Sequence, residues 1–345
     1  MKTIRQQEIF GVIMQNQPIN ISEITKKLKD KVSIPTLNRD LTVLKNDNII
    51  LTEGGGPSTK YKINLDGLIT AKIDQDLFFQ LESDERKIIT RFNLSVIDKL
   101  AEISLFSVEE NLFLDELTNQ YRKKISESSL AIHNKEFERL MIELSWKSSQ
   151  IEGNTYDLLD TEQLLKYNIP SPKHSEYETD MLLNHKVAIE YTRTNADLYQ
   201  KLTLNKVMDI HTLLTKSLGI EKSIRKRIVR ITGSNYMPPE IAYVVEEALN
   251  KMCELINAKE NIFEKALIAI LLISYIQPFD DGNKRTARLT ANAILMAANC
   301  CPLSYRSINP SDYKKTILLF YELNNIEAFK KVFIAQYQFA VENYF

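Results

Sequence analysis

The residues most able to do chemistry lie in one run, Gln277-Pro278-Phe279-Asp280-Asp281-Gly282-Asn283-Lys284-Arg285-Thr286-Ala287-Arg288. The run follows the apolar stretch Ala266 to Ile276 and precedes a second one, Leu289 to Ala298, so the pattern predicts a turn between two buried helices. A helix that starts there presents unpaired backbone N–H groups and the positive end of its dipole, which suits phosphate. Gly282 permits a left-handed turn and a close approach of ligand to backbone. Asp281 is a hard oxygen donor of the kind Mg²⁺ takes beside phosphates. Lys284, Arg285 and Arg288 add positive charge, and the two arginines, three apart, share one helix face. A charged glycine turn alone is often only a solvated turn. Wedged between two core helices, it calls for a ligand.

This run resembles the signature of the Fic family, H-x-F-x-D/E-G-N-G/K-R-x-x-R. Phe279, Asp281, Gly282, Asn283, Lys284, Arg285 and Arg288 match; at the leading histidine stands Gln277. The resemblance implies a mainly helical core that transfers AMP from ATP to a protein hydroxyl, with ATP as substrate and Mg²⁺ as cofactor. It implies that Asp281 holds the metal and that Asn283 orients the α-phosphate. The backbone from Gly282 to Arg285 would cradle the phosphates, Arg288 would clamp the γ-phosphate, and Phe279 would anchor the loop. Residues 227–239 (RIVRITGSNYMPP) alternate like a strand pair and resemble the family's β-hairpin flap, which implies target binding by Ile231, Thr232, Gly233, Ser234 and Tyr236.

Two residues bear on activity. The stretch Ser148-Ser149-Gln150-Ile151-Glu152-Gly153 fits the family's inhibitory motif, S/T-x-x-x-E-G/N, with Ser148, Glu152 and Gly153 at its fixed positions. The resemblance implies that Glu152 pairs with Arg288 and denies it to the γ-phosphate; the plain alternative is an inert helix-end carboxylate. Gln277 stands where the family's general base would accept the target's proton. A glutamine amide hydrogen-bonds but does not titrate near neutral pH, and general-base catalysis is typically worth about 10²- to 10⁴-fold.

The elements that must position these residues read as mostly helical. Of the 345 residues 44% are apolar, which lets each part of the chain bury a core, and the net charge of −1 excludes a global argument for nucleic acid or membrane. Cys253, Cys300 and Cys301 form no ligand spacing, and the four histidines are not paired at zinc spacing. The polar N-terminus reads as no signal peptide, so a cytoplasmic chain is expected. Residues 1–66 carry three short helical patterns and two β-prone segments around Gly54-Gly55-Gly56, a winged helix-turn-helix (α+β) pattern. Its third helix would be capped by Ser33, with Leu37, Leu41 and Leu44 inward and Thr36, Asn38, Arg39 and Lys45 available to DNA. Ten basic against seven acidic residues in this segment is a thin bias, and an interaction module of the same shape remains open.

The expected organisation is a winged helix over 1–66, connecting helices over 67–135 and a Fic domain over 136–345 that includes the inhibitory helix. Three functions stay open: a self-inhibited AMP transferase impaired by Gln277, a nucleotide-sensing transcriptional regulator, and a non-catalytic interaction scaffold. The expected partners are ATP and a target protein or the chain itself, with DNA through residues 1–66 and a homodimer left open and no membrane.

Overall fold

In the computed structural model, residue 1 and residues 3–345 are described. The chain is mainly helical with one small sheet, and no described helix is long and apolar enough to cross a membrane. It divides into two compact units, one of residues 1–91, 230–237 and 315–329, the other of residues 92–229, 238–314 and 330–345.

The first unit begins with three helices, α1 (Ile4–Asn16), α2 (Ile21–Lys27) and α3 (Ile34–Asn46). Local chemistry sets their starts. Thr3 caps α1, Asn20 and Glu23 form a reciprocal capping box on α2, and Ser33 caps α3 with Pro35 in its first turn. Leu37, Leu41 and Leu44 are buried, as their spacing predicts. Strands β2 (Ile50–Glu53) and β3 (Lys60–Ile63) pair antiparallel, and the two-residue β1 (Ile19–Asn20) adds to the far side of β3, giving the order β1-β3-β2. Arg39 and Lys45 are exposed, as is Asn38, while the Thr36 hydroxyl is taken up in the cap, 2.9 Å from that of Ser33.

Residues 230–237 form no strand ladder among the described residues, contrary to the alternation read from the sequence. They make a turn, Ser234 N–H to Ile231 C=O, and a single parallel bridge between Met237 and Arg91. Two causes are visible. Pro238 and Pro239 have no N–H to give a ladder. Arg86, ion-paired with the fully buried Glu322, also takes the carbonyl of Gly233.

In the second unit the Ile262–Ile276 helix is buried almost throughout. It packs against the Asn283–Ala297 helix, with residues 277–282 as the bend between them. Around this pair stand the Leu130–Ile151, Glu176–Thr194 and Leu204–Leu214 helices, each with a Ser, Ser or Thr cap accepting from the third residue on.

Candidate functional site

The bend is fixed from within. Gln277 ends the first helix in the left-handed region at φ 50° and ψ 61°, and Phe279 is fully buried and lies flat on His211, ring centroids 3.6 Å apart. Asn283 closes the loop: Phe279 N–H donates to Asn283 Oδ1 and Asn283 Nδ2 to Phe279 C=O, both at 2.8 Å. Asn283 is therefore a brace of the loop's shape, whatever it does toward a ligand. Gly282 is the N-cap at φ 80°, and a Cβ there would stand 3.1 Å from Thr215 Cγ2, so both backbone and space require glycine. No side chain caps the helix, which leaves its first-turn N–H groups to other acceptors.

Charge gathers at this start. Glu152 ends the Leu130–Ile151 helix, where Gly153 turns the chain at φ 101°. Its carboxylate receives Arg288 Nη2 at 2.9 Å on one oxygen and Lys284 Nζ at 3.2 Å on the other. Burial alone would raise its pKa; the attraction of Arg288 and Lys284 outweighs burial and holds the carboxyl at about 2. Arg288, with no exposed side-chain surface, also donates from Nε to Ser148 Oγ and from Nη2 to Ser148 C=O. The Ser148 hydroxyl is left to donate to His185 Nε2 at 3.0 Å. That requires a neutral imidazole, and burial, reinforced by Arg288 and Arg285, pushes His185 down to about 3. Thus Ser148, Glu152, Lys284 and Arg288, separate in the sequence, form one network.

Arg285 differs. It is 1% exposed and touches Asp281 Oδ2 only at 3.5 Å, and its Nε and Nη1 are buried with no hydrogen-bond partner. A buried cation in that state is what an incoming anion would complete. Asp281 itself is 60% exposed, with Tyr177 Oη 3.4 Å from the same oxygen.

Three positions escape a reading of the sequence. Arg225, almost wholly buried, donates to the carbonyls of Gln277, Arg227 and Pro239, and its N–H donates to Pro278 C=O. It ties the start of the loop to residues 227 and 239; within the basic run Lys222–Arg227 nothing local singles it out. His211 donates from Nε2 to Asp281 C=O, and burial lowers it to about 4, so it is neutral. His185 lies more than 30 residues from Ser148 and is likewise invisible to spacing. Gln277 is buried and its Nε2 donates back to Ser274 C=O at 2.6 Å. The flap positions Ile231, Thr232, Gly233, Ser234 and Tyr236, and the α3 positions Thr36, Asn38, Arg39 and Lys45, belong to the first unit.

Residues 201–295, which hold the glycine-capped bend and the clustered arginines, match the Fic/DOC family. Among known relatives, the chain is 30% identical over 175 residues to a protein adenylyltransferase Fic of Nematostella vectensis, covering 49% of this chain and 40% of that one. It is 24% identical over 159 residues to protein adenylyltransferase fic-1 of Caenorhabditis elegans, covering 44% and 31%. The chain thus spans well under half the length of these relatives. A Fic-domain-containing signalling protein from Bacteroides thetaiotaomicron shares the fold at TM-score 0.57 and 19% identity, over 67% of this chain and 94% of that one. So does C. elegans Fic-1 at TM-score 0.57 and 18% identity, over 72% and 79%.

Proposed function

We propose that the second unit is a nucleotide-binding Fic domain of the AMP-transferring kind, held closed by Glu152 and lacking a general base at position 277. One observation carries this reading: a carboxylate already bridges Lys284 and Arg288, while Arg285 beside them is buried with only a long contact to Asp281 and with Nε and Nη1 unpartnered. The site is built for more negative charge than Glu152 supplies.

With ATP bound, the N–H groups from Gly282 to Arg285 meet the phosphates, and Arg285 gains acceptors for its unpartnered Nε and Nη1. Mg²⁺ fits Asp281: the ion commonly takes one or two carboxylates and completes its shell with phosphate oxygens and water, and this carboxylate is exposed at the mouth. The ion would neutralise charge on the phosphates. Glu152 keeps Arg288 from the terminal phosphate. Gln277 turns its amide onto Ser274 C=O and cannot take a proton, so an attacking hydroxyl keeps its own. His211 does not replace the base: with its Nε2 proton given to Asp281 C=O, its basic nitrogen is Nδ1, which is buried without a hydrogen-bond partner. The acceptor is a protein hydroxyl, on a partner or on this chain.

Gln277 favours a second reading, in which nucleotide is bound and sensed without transfer and residues 1–66 bind DNA. Both readings require binding, which calorimetry with ATP and Mg²⁺ tests. Binding should tighten by about tenfold in Glu152→Gly, which frees two charge-assisted contacts. Absence of binding in both proteins would sink both readings.

A further inference from the structure

A cavity of about 360 Å³ opens in the second unit at the opposite end of the Asn283–Ala297 helix from the phosphate loop. A helix of that length puts the two ends about 22 Å apart. Tyr121, Arg122, His133, Phe137 and Arg193 line it together with Met296, and no Asp or Glu does. The size is that of a small-molecule site.

The two arginines are fixed but not neutralised. Arg122 donates from Nε to Asn299 C=O and from Nη2 to Ala298 C=O, which anchors it on the helix's last carbonyls. Arg193 lies over the Phe137 ring at 3.9 Å and spends one donor on Asn134 Oδ1. Neither has a carboxylate partner among the described residues. Burial pulls the pKa of Arg193 down, and burial together with Arg193 does the same to His133. A partly buried charge without a counter-charge is costly unless an anion arrives. A guanidinium already laid on a ring leaves an edge of parallel N–H donors, the shape that carboxylate and phosphate meet two at a time. Ile125 and Met296, both half-buried, offer apolar surface in the same lining.

We propose that this cavity is a second ligand site, for a small organic anion whose carboxylate or phosphate meets Arg122 and Arg193 and whose apolar body lies on Ile125 and Met296. The proposal is independent of what binds the phosphate loop.

The test is ligand-observed NMR on the whole chain with phenyl phosphate, benzoate, inorganic phosphate and benzyl alcohol. Phenyl phosphate or benzoate should bind, whichever is tighter naming the oxyanion. Arg122→Gln and Arg193→Gln should each weaken binding about tenfold, the scale of one charge-assisted hydrogen bond. The imidazole of His133 should titrate higher with the anion present, a response that mere structural damage does not produce. Arg122, exposed on its helix, keeps the test open should Arg193→Gln fold poorly. Equal binding of inorganic phosphate or of benzyl alcohol, displacement of the probe by ATP with Mg²⁺, or indifference to both substitutions would each overturn the proposal.

Discussion

At the start of the Asn283–Ala297 helix, Arg285 and Arg288 are 1% and 0% exposed, and their environment consists of named atoms at fixed distances. On α3, Arg39 and Lys45 stand in water with no such partners. The same residue types therefore carry different information. A buried guanidinium reports a ligand or a built-in substitute, because its desolvation must be offset. An exposed one is screened within about 10 Å by salt and is compatible with DNA, with a protein partner or with neither. The loop of residues 277–288 holds buried charge in fixed contacts, whereas α3 holds exposed charge that any partner would have to fix.

The sharpest test of the buried side is restoration of chemistry. In Glu152→Gly, the further change Gln277→His should raise AMP incorporation from α-labelled ATP by about 10²- to 10⁴-fold, with Mg²⁺ present. If the doubly changed chain binds ATP and transfers nothing, the sensing reading moves ahead. Next in size is Asn283→Ala, which strips both partners from the buried backbone of Phe279. It should cost about 3 kcal/mol in urea unfolding and weaken nucleotide binding, whereas Asp281→Ala should weaken binding at little cost in stability.

Acid separates the histidines from the ion pair. His185 and His211 are held near 3 and 4 in the folded chain, so the unfolded chain takes up protons first as pH falls below about 6.5. Stability should drop by about 2 kcal/mol for each histidine by pH 5, read from denaturation at pH 7, 6 and 5, and His185→Gln should flatten the profile. Glu152 has the same sign in a lower window: its contribution is present above its usual carboxylate range and is lost as pH falls through about 2. ATP affinity should accordingly not rise between pH 8 and 5, and a rise would mean that Glu152 is released by protonation. On the exposed side the effects are smallest. Arg39→Ala and Lys45→Ala should leave stability within about 0.5 kcal/mol. If α3 meets DNA, each should lower the salt slope of binding by about one, and unchanged gel shifts would leave α3 an ordinary solvated face.

Much of this arrangement is legible in the sequence because its determinants are local. The loop residues sit at fixed spacing, Gly282 answers a backbone need, and the cap Ser33 lies beside the helix it starts. What is not legible acts at a distance or runs against a local pattern. Arg225 reaches Gln277 across about 50 residues, and His185 finds Ser148 only through packing. The alternation over 227–239 suggests strands, yet two prolines and side chains holding its carbonyls give the segment another course. Strand β1, two residues long, is too short for periodicity to register.

Trp146, the chain's one tryptophan, lies two residues ahead of Ser148 on the same helix. Its indole N–H donates to Tyr156 C=O, with Lys147 Nζ 4.6 Å and the Arg306 guanidinium 5.0 Å from the ring. Indole emission is sensitive to charge at such range. Release of Glu152 from Arg288 that shifts the final turn of that helix should change the emission of this single tryptophan. If residues 277–288 bind nucleotide and Glu152 closes that site, this tryptophan is an unlabelled optical readout of its opening, usable in a stopped-flow cell.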